Sequence, residues 1–338
     1  MTHVPSLNSP VADGERPIRV GVVGVGVMGS NHARVLAGLP GAVLVGVADP
    51  DTKQTEYVAR ALGCAAVATV EELLDIGCDA ITIAAPTHLH RDVALACIAR
   101  GVHVLVEKPI ASTVEEGHEI IDAAQAAGVT LMIGHVERFN PAVEAIKEAI
   151  RNEDILSIAV TRVGPFPPRM SNVGIVIDLA VHDIDLIRYF TDSDIVEVQP
   201  QLSSAVAERE DIALLQFRTA SGVLAHINTN WLTPFKARNV TVATRGKYVQ
   251  GDLLTRQVTE CFGFQPDGSY SMRHLSVGYA EPLRSELLSF LQAVRNGTQP
   301  PVTGEQGVTS LKIAIQCLTD RPPAVAPAKH KAPRAVAG

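Results

Sequence analysis

The segment Gly24–Gly29 reads Gly-Val-Gly-Val-Met-Gly and directly follows the β-branched run Ile18–Val23. A strand, a glycine-rich turn and a helix in this order are typical of a dinucleotide site. Gly24 would make the tight turn, Gly26 would admit the pyrophosphate, and Gly29 would let helix and strand pack closely. The helix expected at Ser30–Leu39 would attract phosphate with its N-terminal amides and its dipole, and Val27 and Met28, just before it, are expected to contact the cofactor. The alternative is a plain strand-to-helix turn.

Asp49 ends the next apolar run, about 20 residues after the glycines, where dinucleotide folds place an acidic residue. A carboxylate there accepts hydrogen bonds from ribose hydroxyls and repels a 2′-phosphate. The sequence therefore predicts NAD, in preference to NADP, as the cofactor.

A second chemical motif is Glu107-Lys108-Pro109, placed directly after the apolar run Val102–Val106. A lysine at a strand end can reach a substrate oxygen beside a nicotinamide. Pro109 fixes its own φ and biases Lys108 toward an extended backbone, which makes this placement more specific than a lone solvated lysine.

Asp178 and His182 lie four residues apart in a segment that is otherwise strongly apolar. On a helix this spacing puts both side chains on one face, and buried polar groups are costly unless they are paired. Histidine suits proton transfer near neutral pH. The alternatives are an internally satisfied core pair or a metal site, although no third ligand is evident beyond Asp185 or His226. We expect no metal.

The elements that must position these residues fall into two groups. Short apolar strands alternate with helical stretches from 18 to about 133, which predicts a parallel sheet covered on both faces. After 141, alternating runs predict an α+β domain with a largely antiparallel sheet. The expected fold is thus α/β, with tails at 1–16 and 321–338, a Rossmann domain at 17–140 and a substrate-binding and oligomerisation domain at 141–320.

Composition narrows the class of protein. The 338 residues, 46% hydrophobic, suffice for two cores, and the net charge of −7 disfavours nucleic acid. No secretory signal or transmembrane run is recognisable. Cytoplasmic location is expected, because the odd number of cysteines without a Cys-x-x-Cys motif favours free thiols in a reducing compartment. The five are Cys64, Cys78, Cys97, Cys261 and Cys317.

Taken together, these motifs resemble the Gfo/Idh/MocA family of NAD(P)-dependent sugar and polyol oxidoreductases over about residues 17–318. The resemblance rests on GVGVMGSNHARVL at 24–36, PTHLH at 86–90, VEKPIA at 106–111 and DLAVHD at 178–183.

The resemblance implies a function for each motif. Pro86, Thr87 and His90 would line the cofactor, and Glu107 would contact the nicotinamide ribose. His182 would take the hydroxyl proton of a secondary alcohol while Lys108 stabilises charge on the same oxygen and Asp178 supports His182. For Thr87 and His90, a capping threonine and a surface histidine are the alternatives.

The segments GHVERFNP at 134–141 and TRVGPFPPR at 161–169 resemble a subgroup that oxidises C3 of UDP-N-acetylglucosamine and supplies an aminotransferase. Arginine suits bidentate phosphate binding, so Arg138, Arg162 and Arg169 are candidate substrate contacts, and Trp231 would stack on a base or sugar. The alternatives are an ion pair for Arg138 and a core position for Trp231.

Two other functions stay open. An inositol or aldose dehydrogenase would use the same lysine, aspartate and histidine, and a non-catalytic sensor or scaffold would bind NAD alone. The resemblance also implies a homodimer or homotetramer.

Overall fold

A computed structural model describes residues 16–167 and 173–320. Arg169 and the predicted tails 1–16 and 321–338, except for Arg16, lie outside the described residues. No helix of the described part is long and apolar enough to cross a membrane. The five cysteines are free thiols, as the sequence predicted.

The N-terminal half alternates strands and helices. Its elements are β1 (Ile18–Val23), α1 (Val27–Ala37), β2 (Ala42–Ala48), α2 (Thr52–Leu62), β3 (Ala65–Val67), α3 (Val70–Ile76), β4 (Ala80–Ile83), α4 (His90–Ala99), β5 (His103–Glu107), α5 (Val114–Ala127) and β6 (Leu131–Gly134). The six strands are parallel, in the order β3-β2-β1-β4-β5-β6. The predicted Rossmann sheet is therefore confirmed, and all the strands end at the edge where such sheets bind ligands.

The second half is built on an eight-stranded sheet. Its elements are α6 (Pro141–Ala149), β7 (Ile155–Pro165), a π-helical turn (Val176–Ala180), α7 (Val181–Thr191), β8 (Ile195–Ser203), β9 (Ile212–Thr219), β10 (Leu224–Asn230), β11 (Leu232–Thr244), β12 (Lys247–Asp252), β13 (Gln257–Phe262), β14 (Ser271–His274), α8 (Pro282–Asn296) and α9 (Gly304–Thr319). The order is β14-β13-β12-β11-β7-β10-β9-β8, and only the β7–β10 pair is parallel. This confirms the predicted, largely antiparallel sheet.

Local sequence explains where the helices begin and end. Thr113 and Glu116 form a reciprocal capping box at the start of α5, and Gly128 ends that helix with φ of 65°. Thr303 and Gln306 cap α9 in the same way. Helix α1 begins at Val27 and not at the predicted Ser30, so its first turn includes the last residues of the glycine motif.

Two hydrophobic cores form, one per sheet. Helix α8 belongs to the first core: it buries Leu287 and Phe290 among strand residues such as Val104. Residues 141–320, predicted as one domain, thus contribute α8 to the core of the Rossmann sheet. Sequence periodicity missed β3, α3, β13 and β14, because these short or solvent-exposed elements carry little apolar pattern.

Candidate active site

The glycine motif forms a tight turn between β1 and α1. Gly24 has φ of +85°, and a Cβ there would lie 2.7 Å from the Ala84 backbone. A Cβ on Gly29 would lie 1.7 Å from the Gly24 carbonyl oxygen, so only glycine fits at either position. A Cβ on Gly26, in contrast, would meet nothing within 4 Å. The turn thus leaves open space above Gly26, which is where a pyrophosphate must approach the backbone.

The residues around this turn fit a dinucleotide. Gly26 is the N-cap residue of α1 and has no side chain, so no side-chain acceptor occupies the amides of the first turn. Val27 and Met28 are exposed beside these amides. Asp49 lies at the end of β2, where its carboxylate accepts hydrogen bonds from the amides of Val25 (2.8 Å) and Asp51 (2.9 Å). These bonds fix the carboxylate next to the turn, in the place that ribose recognition requires.

The loop after β4 contains the predicted Pro86, which is exposed, and the predicted Thr87, which is half-buried. His90 differs from the prediction that it lines the cofactor. Its ring is buried, with Nδ1 2.9 Å from the carbonyl oxygen of Pro109 and Nε2 2.8 Å from that of Ala85. His90 therefore ties this loop to the Lys108–Pro109 segment, and its ring nitrogens have no access to a ligand.

Glu107 also differs from its predicted contact with the nicotinamide ribose. Its side chain is buried and points into the protein, where Oε1 lies 2.9 Å from His32 Nε2. Oε2 accepts a hydrogen bond from the amide of Lys108 (3.2 Å). Glu107 thus fixes the backbone amide of Lys108 from the buried side of the strand end.

Lys108 reaches across to the π-helical turn of the second half. Its Nζ donates to the carbonyl oxygen of Asp178 (2.7 Å) and lies 3.4 Å from Asp178 Oδ1. The two side chains keep 15% and 21% of their surface exposed, so the pair lies at an accessible position. π-Helical segments often mark functional sites. The ammonium has three donors, and the two contacts with Asp178 leave one for a substrate oxygen.

His182 follows the same turn, one helical turn after Asp178. Burial holds its pKa well below the usual range, and the positive charges of Lys108, Arg162, His135 and Arg238 lower it further. The ring is therefore neutral near pH 7 and can accept a proton. Within the described residues, Asp178 bonds Lys108 and makes no hydrogen bond to His182, so the expected direct support by Asp178 is absent from this arrangement.

The two predicted substrate arginines that the structure describes are instead buried in ion pairs. Arg138 donates to both carboxylate oxygens of Asp185, at 2.7 and 2.6 Å. Arg162 donates to Asp183 (2.9 Å) and to Glu137 (2.8 Å). Both guanidinium groups are buried and paired with internal carboxylates, so neither presents an open cation to a substrate. The ion-pair alternative for Arg138 is what the geometry shows.

Trp231 is likewise in the second core, only 3% exposed, with its ring edge-to-face against Phe166 at 5.8 Å. It has no surface left for stacking on a base or sugar. Arg169, the remaining predicted substrate contact, lies outside the described residues.

Sequence reasoning missed two contributors to the site. His135 packs edge-on against His182, with 6.4 Å between ring centroids, and Glu137 holds both Arg162 and Arg238. Both residues lie in the segment 134–141, which was identified from the sequence only as a whole, by its resemblance to a subgroup of the family. Because they follow β6, the ligand-binding edge of the sheet could have identified them.

The fold and the site define an NAD-dependent oxidoreductase: a Rossmann domain with a dinucleotide turn faces a lysine, a carboxylate and a neutral histidine that suit alcohol oxidation. Family models agree. Residues 18–135 match the model described as "Oxidoreductase family, NAD-binding Rossmann fold", and residues 154–249 match the "GFO/IDH/MocA C-terminal domain". The chain belongs to the GFO/IDH/MocA family and is an NAD-dependent sugar or polyol dehydrogenase.

Curated relatives and solved structures span both domains. The UDP-N-acetylglucosamine 3-dehydrogenase of Acidithiobacillus ferrooxidans is 30% identical, with 88% of this chain and 96% of that protein covered. Its crystal structure superposes with a TM-score of 0.84 at 28% identity, covering 89% of this chain and 96% of that chain. The scyllo-inositol 2-dehydrogenase (NAD(+)) of Bacillus subtilis is also 30% identical, with 89% and 93% covered.

Proposed function

We propose that this protein oxidises C3 of a UDP-N-acetylglucosamine-type nucleotide sugar to the 3-keto sugar. The observation that carries the proposal is the match to the Acidithiobacillus ferrooxidans enzyme, which extends over 96% of that chain at a TM-score of 0.84. A match of this length includes the large sheet of the second domain as well as the Rossmann domain.

The residues of the site supply the acid–base part of the reaction. The neutral ring of His182 accepts the proton of the C3 hydroxyl. The Lys108 ammonium, fixed by the Asp178 carbonyl oxygen at 2.7 Å, donates to the same oxygen and stabilises the charge that develops there. NAD, when bound, supplies the hydride acceptor. Gly26, the first turn of α1 and Asp49 would hold it.

A nucleotide sugar brings a diphosphate, which needs cations. Arg138 and Arg162 are buried in ion pairs, whereas Arg238 is the arginine of this cluster with a partly exposed side chain. Its side chain is 35% exposed, Nη1 lies 3.0 Å from Glu137 Oε1, and its charge lowers the pKa of His182. Lys236 is exposed two residues earlier on β11. These two cations therefore replace the predicted arginines in our proposal.

The second candidate is an inositol dehydrogenase, favoured by the equal identity to the Bacillus subtilis enzyme. Lys108, Asp178 and His182 would serve an inositol hydroxyl equally well. The two candidates differ in charge, because an inositol carries no phosphate and gains nothing from Arg238 or Lys236.

Initial rates of NADH formation, read by absorbance, separate the candidates. We expect turnover with UDP-N-acetylglucosamine, and weaker or no turnover with free N-acetylglucosamine, myo-inositol and scyllo-inositol. Arg238→Gln should raise KM for the nucleotide sugar, whereas the control Arg100→Gln, which alters an exposed arginine paired with Asp75, should leave it unchanged. Efficient oxidation of either inositol, with none of the UDP-sugar, would overturn the proposal.

Three further proposals complete this function. The product 3-keto sugar would be consumed by an aminotransferase, and the enzyme would work in the cytoplasm. Leu214 and Leu224 are half exposed on the outer face of the large sheet, so we propose a homo-oligomer, dimeric or tetrameric, that covers this face. Light scattering coupled to size exclusion tests it, and a monomer at micromolar concentration would contradict it.

A further inference from the structure

Three ionisable side chains meet in the interior directly beneath the catalytic lysine. His32 comes from α1, Glu107 from the end of β5 and Glu286 from α8. Their exposed fractions are 0%, 6% and 0%, and one nitrogen or oxygen atom from each lies within 4.8 Å of the others. None of the steps assigned to Lys108, Asp178 and His182 uses Glu286 or His32.

Hydrogen bonds account for only part of this cluster. His32 Nε2 and Glu107 Oε1 are 2.9 Å apart, and Glu107 Oε2 accepts from the Lys108 amide. Within the described residues, Nδ1 of His32 and both carboxyl oxygens of Glu286 have no partner. A buried, ionised carboxylate without a donor is strongly disfavoured. Two carboxyl groups this close in a dry site cannot both be ionised.

The contacts decide which of the two carboxyl groups keeps its proton. Glu107 has a donor on each oxygen, and although burial opposes ionisation, His32 and Lys108 hold its pKa below the usual value. Glu286 has no donor, and burial together with the charge of Glu107 raises its pKa well above the usual value. The proton therefore resides on Glu286, which places an O–H donor within 4.8 Å of the polar atoms of His32 and Glu107. In the tautomer in which His32 Nε2 donates to Glu107, the unpaired Nδ1 of His32 is an acceptor.

Charged groups on the neighbouring elements do not change this balance. Burial lowers the pKa of His135, at the end of β6, and among charged groups Asp185 and Arg138 act on it more strongly than Glu107 does. Glu137 and Arg138, in the turn that packs on α8, form their ion pairs with Arg162 and Asp185. On the side of α1, Arg34 pairs with Glu281 at the exposed start of α8.

We propose that Glu286 is a positioning residue that acts as a neutral carboxylic acid. Its O–H stabilises the His32–Glu107 pair, and Glu107 in turn fixes the Lys108 amide and the start of the catalytic side chain. The inference concerns the shared catalytic lysine, so it holds whichever sugar or polyol is the substrate.

The test compares Glu286→Gln, Glu286→Ala and the control Glu281→Gln in the full-length protein. Glutamine keeps the shape and one donor of a neutral acid but cannot ionise. Alanine removes both the donor and the packing. The measurements are kcat and KM with the best substrate, urea unfolding at several pH values, the infrared band of a protonated carboxyl group, and bound metal by elemental analysis.

The expected pattern follows from the raised pKa of Glu286. The native protein keeps a proton that the unfolded chain releases above about pH 4.5, so stability from this group is present below that pH and is lost as pH rises toward the folded-state pKa. Glu286→Gln should remove this part of the pH dependence and the infrared band. Glu286→Ala should lower kcat about tenfold or more, with KM little changed. Glu286→Gln should retain most of the wild-type kcat. Glu281→Gln should keep both the band and the pH dependence.

Three results would overturn the proposal. One is that the wild-type protein shows no protonated-carboxyl band, or that its band persists in Glu286→Gln. A second is Glu286→Gln with kcat as low as Glu286→Ala, which would mean that Glu286 acts as an anion. The third is stoichiometric bound metal that Glu286→Gln abolishes, because the three side chains would then be ligands.

Discussion

Glu107 and Lys108 are consecutive residues, yet they serve opposite sides of the end of β5. Lys108 extends toward the second domain, where its ammonium contacts Asp178 and remains 15% exposed. Glu107 points into the first core, where it meets His32 and Glu286. Successive side chains at a strand end face opposite ways, so one strand end provides both a reactive cation and a buried support. The reactive group therefore lies on the open side of the strand end, and the groups that position it lie on the closed side.

The open side should show the largest effect on catalysis. His182→Ala removes the proposed base, and we expect kcat/KM to fall by about 10²–10⁴-fold while NAD affinity stays unchanged. Stopped-flow or steady-state NADH formation measures the loss. His118→Ala, which alters an exposed histidine on α5, is the control and should keep full activity. A His182→Ala enzyme with near-normal turnover would show that another group takes the proton.

The buried ion pairs around Arg162, on the second-domain side of the site, should respond through stability. Arg162→Met leaves Glu137 and Asp183 without their shared buried partner, and breaking such a network costs about 3–5 kcal/mol. Urea unfolding would measure the change. Arg218→Met, which removes an exposed ion pair with Glu197, should cost less than about 1 kcal/mol. Equal, small losses in both variants would mean that the buried network does not support the site.

The cofactor end should show an intermediate effect. Asp49→Asn weakens acceptors for the ribose hydroxyls, and hydrogen bonds to charged groups contribute about 1.5–3 kcal/mol, so NAD should bind about tenfold or more weakly. Fluorescence titration gives Kd for NAD and NADP. The preference for NAD should shrink as well, whereas Asp75→Asn, an exposed control, should change neither value. Unchanged discrimination would exclude Asp49 as the selecting group.

The smallest effect concerns pH. Because burial and nearby cations depress the pKa of His182, activity should be lost only below the usual histidine range as pH falls. Arg238→Gln removes one of those cations, so the pKa should rise and the acid limb of kcat should move to higher pH. A pH–rate profile of wild type and variant tests the sign, and a shift to lower pH would contradict the charge argument.

The two sides also differ in how far sequence predicts them. Local sequence predicts the cofactor end well, because each position there needs a particular backbone conformation or a charge next to a strand. These positions are Gly24, Gly26, Gly29 and Asp49. Lys108 and the pair Asp178/His182 were recognisable because polar residues interrupt apolar segments. Their contact across the domains, and the contact of Lys108 with Asp178 in particular, required the fold.

Burial was the part that sequence could not predict. His90, Glu107, Arg138 and Arg162 have side chains that suit ligands, and their internal partners come from distant segments. Arg162 meets Glu137 and Asp183 only after β7 pairs with β11 and packs against α7. A chemically suitable residue near a motif therefore identifies the region of a site, while exposure decides which of its residues reach the ligand.

The central claim is that Lys108 acts on the substrate oxygen while held by Asp178 from the other domain. The most direct measurement pairs NADH formation with fluorescence titration of NAD in Lys108→Ala. We predict an unchanged Kd for NAD and a fall in kcat of about 10²–10³-fold, the usual cost of losing one donor to a developing oxyanion. Full turnover with normal NAD binding would contradict the account.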